Sequence, residues 1–550
     1  MTPIDYLLVA VFLAFTFFVG MVGGKFVKHS DDYFVASRAL PPFILAAAIT
    51  ATNVNLYSFI GQAGTASQHG IAIVWQTWTG NMALVFSGLF ILPVFRRLRI
   101  RSVPELLEQR YSGGVRGLVG VLWIFRLTFW IGVVLYASGV AAAKITGVDS
   151  VLLWLMVFGV ITVIYTMIGG MWSVALNDIL QFVLMLGAAM IVLPLAMSKV
   201  GWMPGLVEKL SGTGKLDIIP QAGQFNWKFI IAIFFLGIEW AAVDQGLLQR
   251  AFGARSTKSV AKGLVIAGIV TTPFALLWIL PGLAGSVLVP GVTDPDAVIP
   301  LLYRQLLPPV VLGLVLCGLL SSQISTISGN LNAVATMYAN DLYRRFYKRD
   351  ATSDETLRVA RISTLGAGLL MVGISLLVER LGGVVNAYLT VIAIMDMPLF
   401  VIAVIYGFTK WADHRGAMTA LLLGVTAGTI ATFGFGLQFA GATLVSGLTA
   451  LLGMPLGHFV FKGKASGDKV LEFAKARKGT LYPESESDGF YSLIPVSRGG
   501  RVTLGVFFAA LAAFFAGIVF GGLGYSWGPA LTIGAMTVYF LAGLWRLRYE

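Results

Sequence analysis

The stretch AAAITATNVNLYSFIGQAG (46–64) places polar side chains in the middle of an otherwise apolar segment. These are Thr50, Thr52, Asn53, Asn55, Tyr57 and Ser58. Polar groups inside a membrane span are costly, so their positions point to function. A helix that unwinds near the membrane midplane explains the pattern, because its freed carbonyls and side chains can hold an ion or a solute. The alternative is a polar seam between packed helices.

The composition around this stretch is that of a membrane protein. The chain is 57% hydrophobic and 12% charged, with a mean hydropathy of +0.83. A soluble domain carries roughly twice that share of charge. Apolar stretches of about 20 residues recur, which is the length that crosses a hydrocarbon core as a helix. The sequence therefore predicts an all-α polytopic protein rather than a β-barrel, whose strands would be short and alternating.

The apolar stretches predict fifteen spans, with the N-terminus outside and the C-terminus inside. Their approximate bounds are 4–23, 40–67, 72–95, 117–143, 150–168, 173–198, 228–250, 262–287, 308–338, 359–379, 384–409, 416–437, 439–461, 502–521 and 526–545. With this topology the inner loops hold 31 of the 39 Lys and Arg residues, as the positive-inside rule requires. The net charge of +13 thus belongs to cytoplasmic loops and does not predict nucleic-acid binding.

A second polar cluster lies in LLSSQISTISGNLNAVATMYANDLY (319–343). Ser322, Ser325, Thr326 and Ser328 recur there at helical spacing. Hydroxyl and carbonyl oxygens suit a weakly bound monovalent cation better than a divalent one, which prefers carboxylates. The alternative is a packing face of small residues whose hydroxyls bond back to the helix.

Carboxylates within spans form a third set of candidates, as cation ligands or proton carriers. They are Asp178, Glu239, Asp244 and Asp396. Asp244 lies near the inner end of its span, where we predict an ion pair with Arg250. Arg126 is deep in a span, and a structural ion pair is its predicted use.

Enzymatic chemistry finds no support in the sequence. The single cysteine, Cys317, allows no disulfide framework, and the four histidines lack metal-ligand spacing. HExxH, paired-histidine and GxSxG patterns are missing, as is any ATP-binding motif. A membrane sensor built on a transporter core stays an alternative, although the sequence carries no signalling domain.

Eight segments in this order resemble the solute:sodium symporter family, which includes sodium/glucose and sodium/proline transporters. They are DDYFVASRALPP (31–42), ATNVNLYSFIG (51–61), RSVPELLEQRYS (101–112), GGMWSVALNDILQ (169–181), QRAFGARS (249–256), LPG (280–282), SSQISTISGNLNAVATMYANDLY (321–343) and KWADHRGA (410–417). The resemblance implies a leucine-transporter-type five-plus-five inverted repeat, with one extra N-terminal and about four extra C-terminal helices. Each repeat would begin with a broken helix, at 51–61 and near 237–246.

The resemblance also implies a division of the chain. The predicted parts are a leading helix with the start of an inner loop (1–30), the first repeat (31–200), the second repeat (201–410), two accessory spans (411–461), a cytoplasmic loop with an amphipathic helix (462–501) and two C-terminal spans (502–550).

The family's shared sodium site maps onto two helices of this chain. It matches the backbone carbonyls of Ala51, Val54 and Ser322 and the hydroxyls of Ser325 and Thr326. A second sodium site of some members matches Asp178 and Ser328. A further hydroxyl of that second site is Gly329 here, so this chain departs from the pattern.

The solute pocket of the sodium/galactose branch is not kept. Its polar positions align with Ser58, Thr77, Gly80, Gly237 and Val270. The predicted pocket consists of Asn53, Tyr57, Ser58, Gln76, Thr77, Trp78 and Trp240, with Trp75 or Trp78 as a wall. Such a neutral, aromatic pocket suits a sugar or polyol, or a small zwitterion, and no arginine or lysine is predicted near it.

We therefore predict sodium-coupled symport of a small organic solute by alternating access in the cytoplasmic membrane. The alternatives are an amino acid or monocarboxylate as solute, and proton coupling through Asp178 or Asp396. The predicted partners are the solute, Na+ and the lipid bilayer, with no nucleic acid and no obligate protein partner.

Overall fold

The computed structural model describes residues 1–24, 41–98, 100, 102–461, 467–478, 491–495 and 497–549, and these residues are predominantly helical. The helices are α1 (Pro3–Gly24), α2 (Pro42–Asn53), α3 (Ala63–His69), α4 (Val74–Phe90), α5 (Leu92–Arg97), α6 (Val103–Arg110), α7 (Gly113–Thr146), α8 (Val151–Val200), α9 (Trp202–Leu210), α10 (Trp227–Val243), α11 (Gln245–Phe252), α12 (Thr257–Phe274), α13 (Leu276–Leu288), α14 (Pro295–Leu306), α15 (Val311–Thr336), α16 (Ser353–Ser375), α17 (Gly383–Phe400), α18 (His414–Thr429), α19 (Phe439–Val460), α20 (Gly467–Lys478), α21 (Arg498–Gly522) and α22 (Gly528–Arg546).

Within the described residues, eleven segments are long and apolar enough to cross a membrane. They correspond to predicted spans four to six and eight to fifteen. The other predicted spans are present as shorter or interrupted helices, namely α1, α2 with α3, α4, and α10 with α11. The two accessory spans that the sequence divides at Gln438 are separate helical segments, His414–Gly434 and Phe439–Val460.

Helix α8 contains two predicted spans, and both of them contact α15. The Tyr165 hydroxyl donates to the carbonyl of Ile324 on α15 at 3.3 Å. Leu184 packs beside Gly318 of the same helix. Ile324 and Gly318 are only about 9 Å apart along α15, whereas a straight helix would separate Tyr165 from Leu184 by about 28 Å. Helix α8 is therefore not straight between Tyr165 and Leu184, and both of its apolar segments pack against α15.

Two helix breaks face each other across the centre of the molecule. Helix α2 ends at Asn53, and Val54 adopts an extended backbone (φ −96°, ψ 105°). The chain then continues through a π-helical turn, Tyr57–Gln62, into α3. Helix α10 ends at Asp244, whose backbone is also extended (φ −67°, ψ 118°). The structure therefore places a break in each region where the resemblance implies one.

At the second break, the side chain of Asp244 caps the helix that follows. The Asp244 Oδ1 atom accepts a hydrogen bond from the Leu247 backbone N–H at 3.0 Å. An aspartate at a helix N-terminus satisfies a donor that the helix leaves unpaired. Asp244 therefore starts α11 while it ends α10, and its second carboxylate oxygen is free to bond elsewhere.

Close packing fixes the first broken helix against the predicted second repeat. A Cβ atom on Gly282 would lie 2.2 Å from the carbonyl oxygen of Ala63 in α3. Only glycine permits this approach, which explains the glycine of the LPG segment. Helix α2 packs directly against α15, so the two polar clusters of the sequence meet.

The amphipathic stretch of the long inner loop forms α20. Its Lys469 ammonium donates to the backbone carbonyls of Glu108 at 2.6 Å and Tyr111 at 3.3 Å. Phe473 is buried and packs edge-on against Phe408 at 5.6 Å. Helix α20 therefore docks on the inner loop that contains α6.

Candidate functional site

A polar cavity lies between the two helix breaks. It is lined by Asn53, Asn55, Tyr57, Ser58, Gln62, Gln76, Thr77, Gly80, Asn81, Arg126, Trp130, Ile233, Leu236, Gly237, Trp240, Asp244, Leu247, Asn330, Tyr388, Ile392 and Asp396. Six of the predicted pocket residues are in this set: Asn53, Tyr57, Ser58, Gln76, Thr77 and Trp240. The structure thus brings residues from three predicted spans to one surface.

Trp78 and Trp75, the predicted wall residues, are not among the residues that line the cavity. The Trp78 indole Nε1 donates to the carbonyl of Thr272 at 3.0 Å. The buried Trp75 donates to the carbonyl of Ile218. Both rings therefore fasten α4 to neighbouring segments.

A chain of side-chain hydrogen bonds covers one wall of the cavity. The Tyr57 hydroxyl donates to Gln76 Oε1 at 2.8 Å, and Gln62 Nε2 donates to the same oxygen at 3.1 Å. Thr77 Oγ1 and Trp278 Nε1 both donate to Gln62 Oε1, at 3.0 and 2.8 Å. Gln62 is the centre of this network, and the sequence analysis did not select it.

Three aromatic rings form a further part of the cavity wall. Tyr57, Trp130 and Tyr388 have centroid separations of 4.7 to 5.5 Å. Trp130 and Tyr388 were not selected from the sequence, although a helical signal was available. Trp130 lies four residues after Arg126, and Tyr388 lies eight residues before Asp396, so each shares a helix face with an intramembrane charge.

An ion cluster forms the inner part of the cavity. Arg126 Nε and Nη2 donate to the two Asp396 oxygens at 3.0 and 2.7 Å. Arg126 Nη1 donates to Asp244 Oδ2 at 2.6 Å. Arg126 forms the structural ion pair that the sequence predicts for it. The predicted pairing of Asp244 with Arg250 is wrong, because Asp244 pairs with Arg126. Arg250 Nη1 instead donates to the Gly246 carbonyl at 2.9 Å.

Arg126 also corrects the expectation that no basic residue lies near the pocket, because it lines the cavity. All three of its guanidinium nitrogens donate to carboxylates. Its charge is therefore matched by Asp244 and Asp396. An anionic solute would have to compete with both of them for the guanidinium.

Two asparagines offer unused hydrogen-bonding capacity to the cavity. Both amide atoms of Asn53 and the Nδ2 atom of Asn81 are buried without a hydrogen-bond partner in the described structure. Buried polar atoms normally have partners, so each such atom requires an explanation. A bound polar solute, or the water that it displaces, would supply these hydrogen bonds.

The predicted sodium ligands belong to α2 and the residue that follows it, and to α15, and these two helices pack against each other. Val54, Ser322, Ser325 and Thr326 are all buried. The Thr326 Oγ1 donates to the Ser322 carbonyl at 3.0 Å, and the Ser322 Oγ has no hydrogen-bond partner among the described residues. Helix α2 ends here, so its last carbonyls and the negative end of its dipole favour a cation. The donor set therefore fits Na+.

Ala51 belongs to α2, and its side chain lies outside the described residues. The side chain of Asp178, a predicted ligand of a second sodium ion, is also outside them. Its proposed partner Ser328 donates through Oγ to the Ser325 carbonyl at 3.2 Å. The second sodium site therefore stays a prediction.

Comparisons with known proteins agree with this architecture. The sequence model of the sodium:solute symporter family matches residues 33–424. The chain belongs to this family. The symporter is 26% identical to the sodium/glucose cotransporter of Vibrio parahaemolyticus, over 70% of this chain and 76% of that protein. It is 22% identical to the sodium/sialic acid symporter SiaT of Proteus mirabilis, over 79% of this chain and 91% of that protein.

A solved structure confirms the fold. The substrate-bound, outward-open structure of a Na+-coupled sialic acid symporter superimposes with a TM-score of 0.77 at 20% sequence identity. The match covers 85% of this chain and 99% of the other. The symporter therefore has the predicted leucine-transporter-type architecture. It is a multi-pass membrane transporter that couples a solute to sodium, and it is not an enzyme.

Proposed function

We propose that this symporter moves a neutral, polyhydroxylated solute, such as a sugar or polyol, into the cell with Na+ across the cytoplasmic membrane. The observation that carries the solute class is the pairing of Arg126 with Asp396 and Asp244. Arg126 is the sole basic residue among those that line the cavity. With its charge matched, a net anion would gain little there and would also lose its own hydration.

The remaining cavity chemistry supports the same class of solute. Amide and hydroxyl groups of Asn53, Gln76 and Asn81 can donate to and accept from the hydroxyls of a sugar. The aromatic wall that includes Trp130 and Tyr388 can stack against the apolar face of a sugar ring. A few placed polar groups on an aromatic surface are typical of small-molecule sites.

Sodium would act by joining the two packed helices α2 and α15. An ion held by the carbonyls at the end of α2 and the hydroxyls of Ser325 and Thr326 would fix the break beside Tyr57. Because Tyr57 lines the solute cavity, sodium binding would preform one wall of it. Sodium and solute affinity would then rise together, as linkage requires.

A screen for thermal stabilisation would identify the solute. The purified symporter would be heated with neutral sugars, polyols, amino acids and monocarboxylates, each with Na+ or with choline. We expect neutral polyhydroxylated compounds to raise the melting temperature only when Na+ is present. Stabilisation by sialic acid or another monocarboxylate, and by no neutral compound, would contradict the proposed solute class.

Uptake into proteoliposomes then tests the coupling. The radiolabelled solute from the screen should accumulate under an inward sodium gradient at equal pH on both sides. A proton gradient in sodium-free buffer should give no accumulation. Uptake that follows the proton gradient and ignores sodium would overturn sodium coupling in this protein. A solute that binds without being accumulated would favour the sensor alternative.

A further inference from the structure

Glu239 is a buried carboxyl group that accepts no hydrogen bond from the described residues. It lies on α10, five residues before the break at Asp244, and it has no exposed surface. Neither of its carboxylate oxygens has a hydrogen-bond partner in the described structure. A carboxylate in this state would carry a large desolvation cost, because no group would compensate its charge.

Its charged and titratable neighbours come from three helices. Asp396 on α17 and Arg126 on α7 face it, together with Asp244 at the end of its own helix. Tyr388 of α17 completes the set. Helix α4, which also packs against α10, contains no titratable residue.

Three other helices pack against α10, namely α11, α19 and α21. Helix α11 carries Arg250, whose Nη1 donates to the Gly246 carbonyl. Helices α19 and α21 hold their charges at their ends. On α19 this is His458, which pairs with Asp413 at 3.0 Å near the inner loop. On α21 these are Arg498 and Arg501, within the first turn of that helix. The groups at Glu239 are therefore limited to Asp396, Asp244, Arg126 and Tyr388.

The cluster contains three carboxyl groups and one guanidinium. Arg126 makes its three side-chain hydrogen bonds with Asp396 and Asp244, and it makes none with Glu239. Helix α17, which carries Asp396, packs against α10, and the carboxyl groups of Glu239 and Asp396 interact electrostatically. Two neighbouring buried carboxyl groups cannot both ionise without a strong repulsion, and a shared proton removes it.

A proton fits this position better than a metal ion. Among the described residues, no group of three His, Cys, Asp or Glu side chains has a geometry that could hold one. Glu239 is also absent from the residues that line the cavity, so a hydrated ion or solute would not reach it directly. A protonated Glu239 could donate one hydrogen bond to Asp396 and would leave the other contacts of Asp396 unchanged.

We propose that Glu239 and Asp396 form a proton-binding site in the wall of the solute cavity, with the proton on Glu239 at neutral pH. This site is separate from the predicted sodium ligands and does not depend on which solute is carried. Loss of the proton would add a negative charge on α10 and α17, opposite Arg126 on α7. The electrostatic link between these helices would therefore respond to pH.

Infrared spectroscopy of the full-length protein in lipid nanodiscs tests the proposal. The wild type should show the carbonyl-stretch band of a protonated carboxylic acid at neutral pH, sensitive to deuterium exchange and lost in alkaline buffer. The Glu239→Gln variant should lack one component of that band. The matched control Glu379→Gln, at an exposed position, should keep it.

Two results would overturn the proposal. One is a wild-type spectrum without any such band at neutral pH, and the other is an unchanged band in Glu239→Gln. If Glu239→Gln does not accumulate as folded protein, Asp396→Asn examines the same pair. Loss of the partner carboxylate should shift the band of Glu239, and an unshifted band would contradict a shared proton.

Discussion

The smallest scale concerns single hydroxyl groups on α15. Thr326 and Ser321 are both buried, and each donates to the carbonyl four residues earlier, at 3.0 and 2.8 Å. Their local bonding is thus the same, but only Thr326 belongs to the predicted sodium site. A comparison of the two positions can separate an ion ligand from an ordinary back-bonded hydroxyl.

Thr326→Ala should weaken apparent sodium affinity by about tenfold or more, since a contact to a charged group contributes about 1.5–3 kcal/mol. Solute affinity at saturating sodium should change much less, because Thr326 does not line the cavity. The measurement is the sodium dependence of solute binding or uptake. Ser321→Ala is the control and should keep the wild-type dependence. Equal sodium dependence in all three proteins would refute the placement of the site.

At the scale of structural elements, buried ion pairs join separate helices, and the Arg126 cluster is an example. Arg126, Asp244 and Asp396 come from α7, the α10–α11 break and α17, and all three are buried. A buried ion pair contributes less than its Coulomb energy because both partners lose hydration. Removing one partner is nevertheless costly, because the other charges stay behind without compensation.

Arg126→Gln should therefore lower the free energy of unfolding by about 3–5 kcal/mol, the usual cost of breaking a buried pair. Thermal unfolding in nanodiscs at neutral pH is the measurement. Lys144→Gln is the control, because Lys144 and Asp149 form an exposed pair at 3.6 Å and such pairs contribute little. Similar melting temperatures for the two variants would show that the Arg126 pairs do not hold these helices together.

At the scale of the whole molecule, ion pairs between inner-loop segments bear on closure of the cytoplasmic side. Glu108 on α6 accepts from Arg116 of α7 and from Arg345 beyond α15, both at 2.5 Å. Arg116 also reaches Asp341 at 2.6 Å. These contacts connect the predicted first and second repeats on the side of the inner loops. Alternating access requires such contacts to break when the cavity opens inward.

The pKa of Glu108 shows how pH would act on this closure. Burial raises the pKa, but hydrogen bonds from Arg345 and Arg116 outweigh it, so the net pKa lies below the ordinary value. A carboxyl group with a lowered pKa stabilises its contacts above the ordinary carboxyl range and loses them as pH falls through the lowered value. The contacts of Glu108 should thus be intact at neutral pH.

Glu108→Gln should favour the inward-open state. A Ser58→Cys reporter in a Cys317→Ser background places one thiol in the cavity. We expect a charged thiol reagent on the cytoplasmic side to label it about tenfold faster in Glu108→Gln, from the loss of about 1.5–3 kcal/mol of charge-assisted hydrogen bonding. Glu355→Gln is the control, because Glu355 pairs with Lys348 on the same side but outside the network. Unchanged labelling in Glu108→Gln would exclude this closure.

Long-range partners were the part of the site that the sequence could not supply. Arg126 and Asp396 are 270 residues apart, and no periodicity relates their helices. The prediction of an Asp244–Arg250 pair relied on closeness in the chain, yet residues six apart point to different faces of a helix. Gln62 was missed because a single glutamine in a small-residue segment gives no signal until Gln76, Thr77 and Trp278 surround it.

The sequence by itself determined the membrane architecture and pointed to the first helix break, and the second break was implied by the family resemblance. Hydropathy, loop charge and misplaced polarity act locally, so each span and the interruption at Ala51–Ser58 can be read from nearby residues. Only the tertiary structure decided the partner of Arg126, the aromatic wall of Trp130 and Tyr388, and the isolation of Glu239. These depend on how distant helices pack, because charge compensation and burial are properties of the assembled interior.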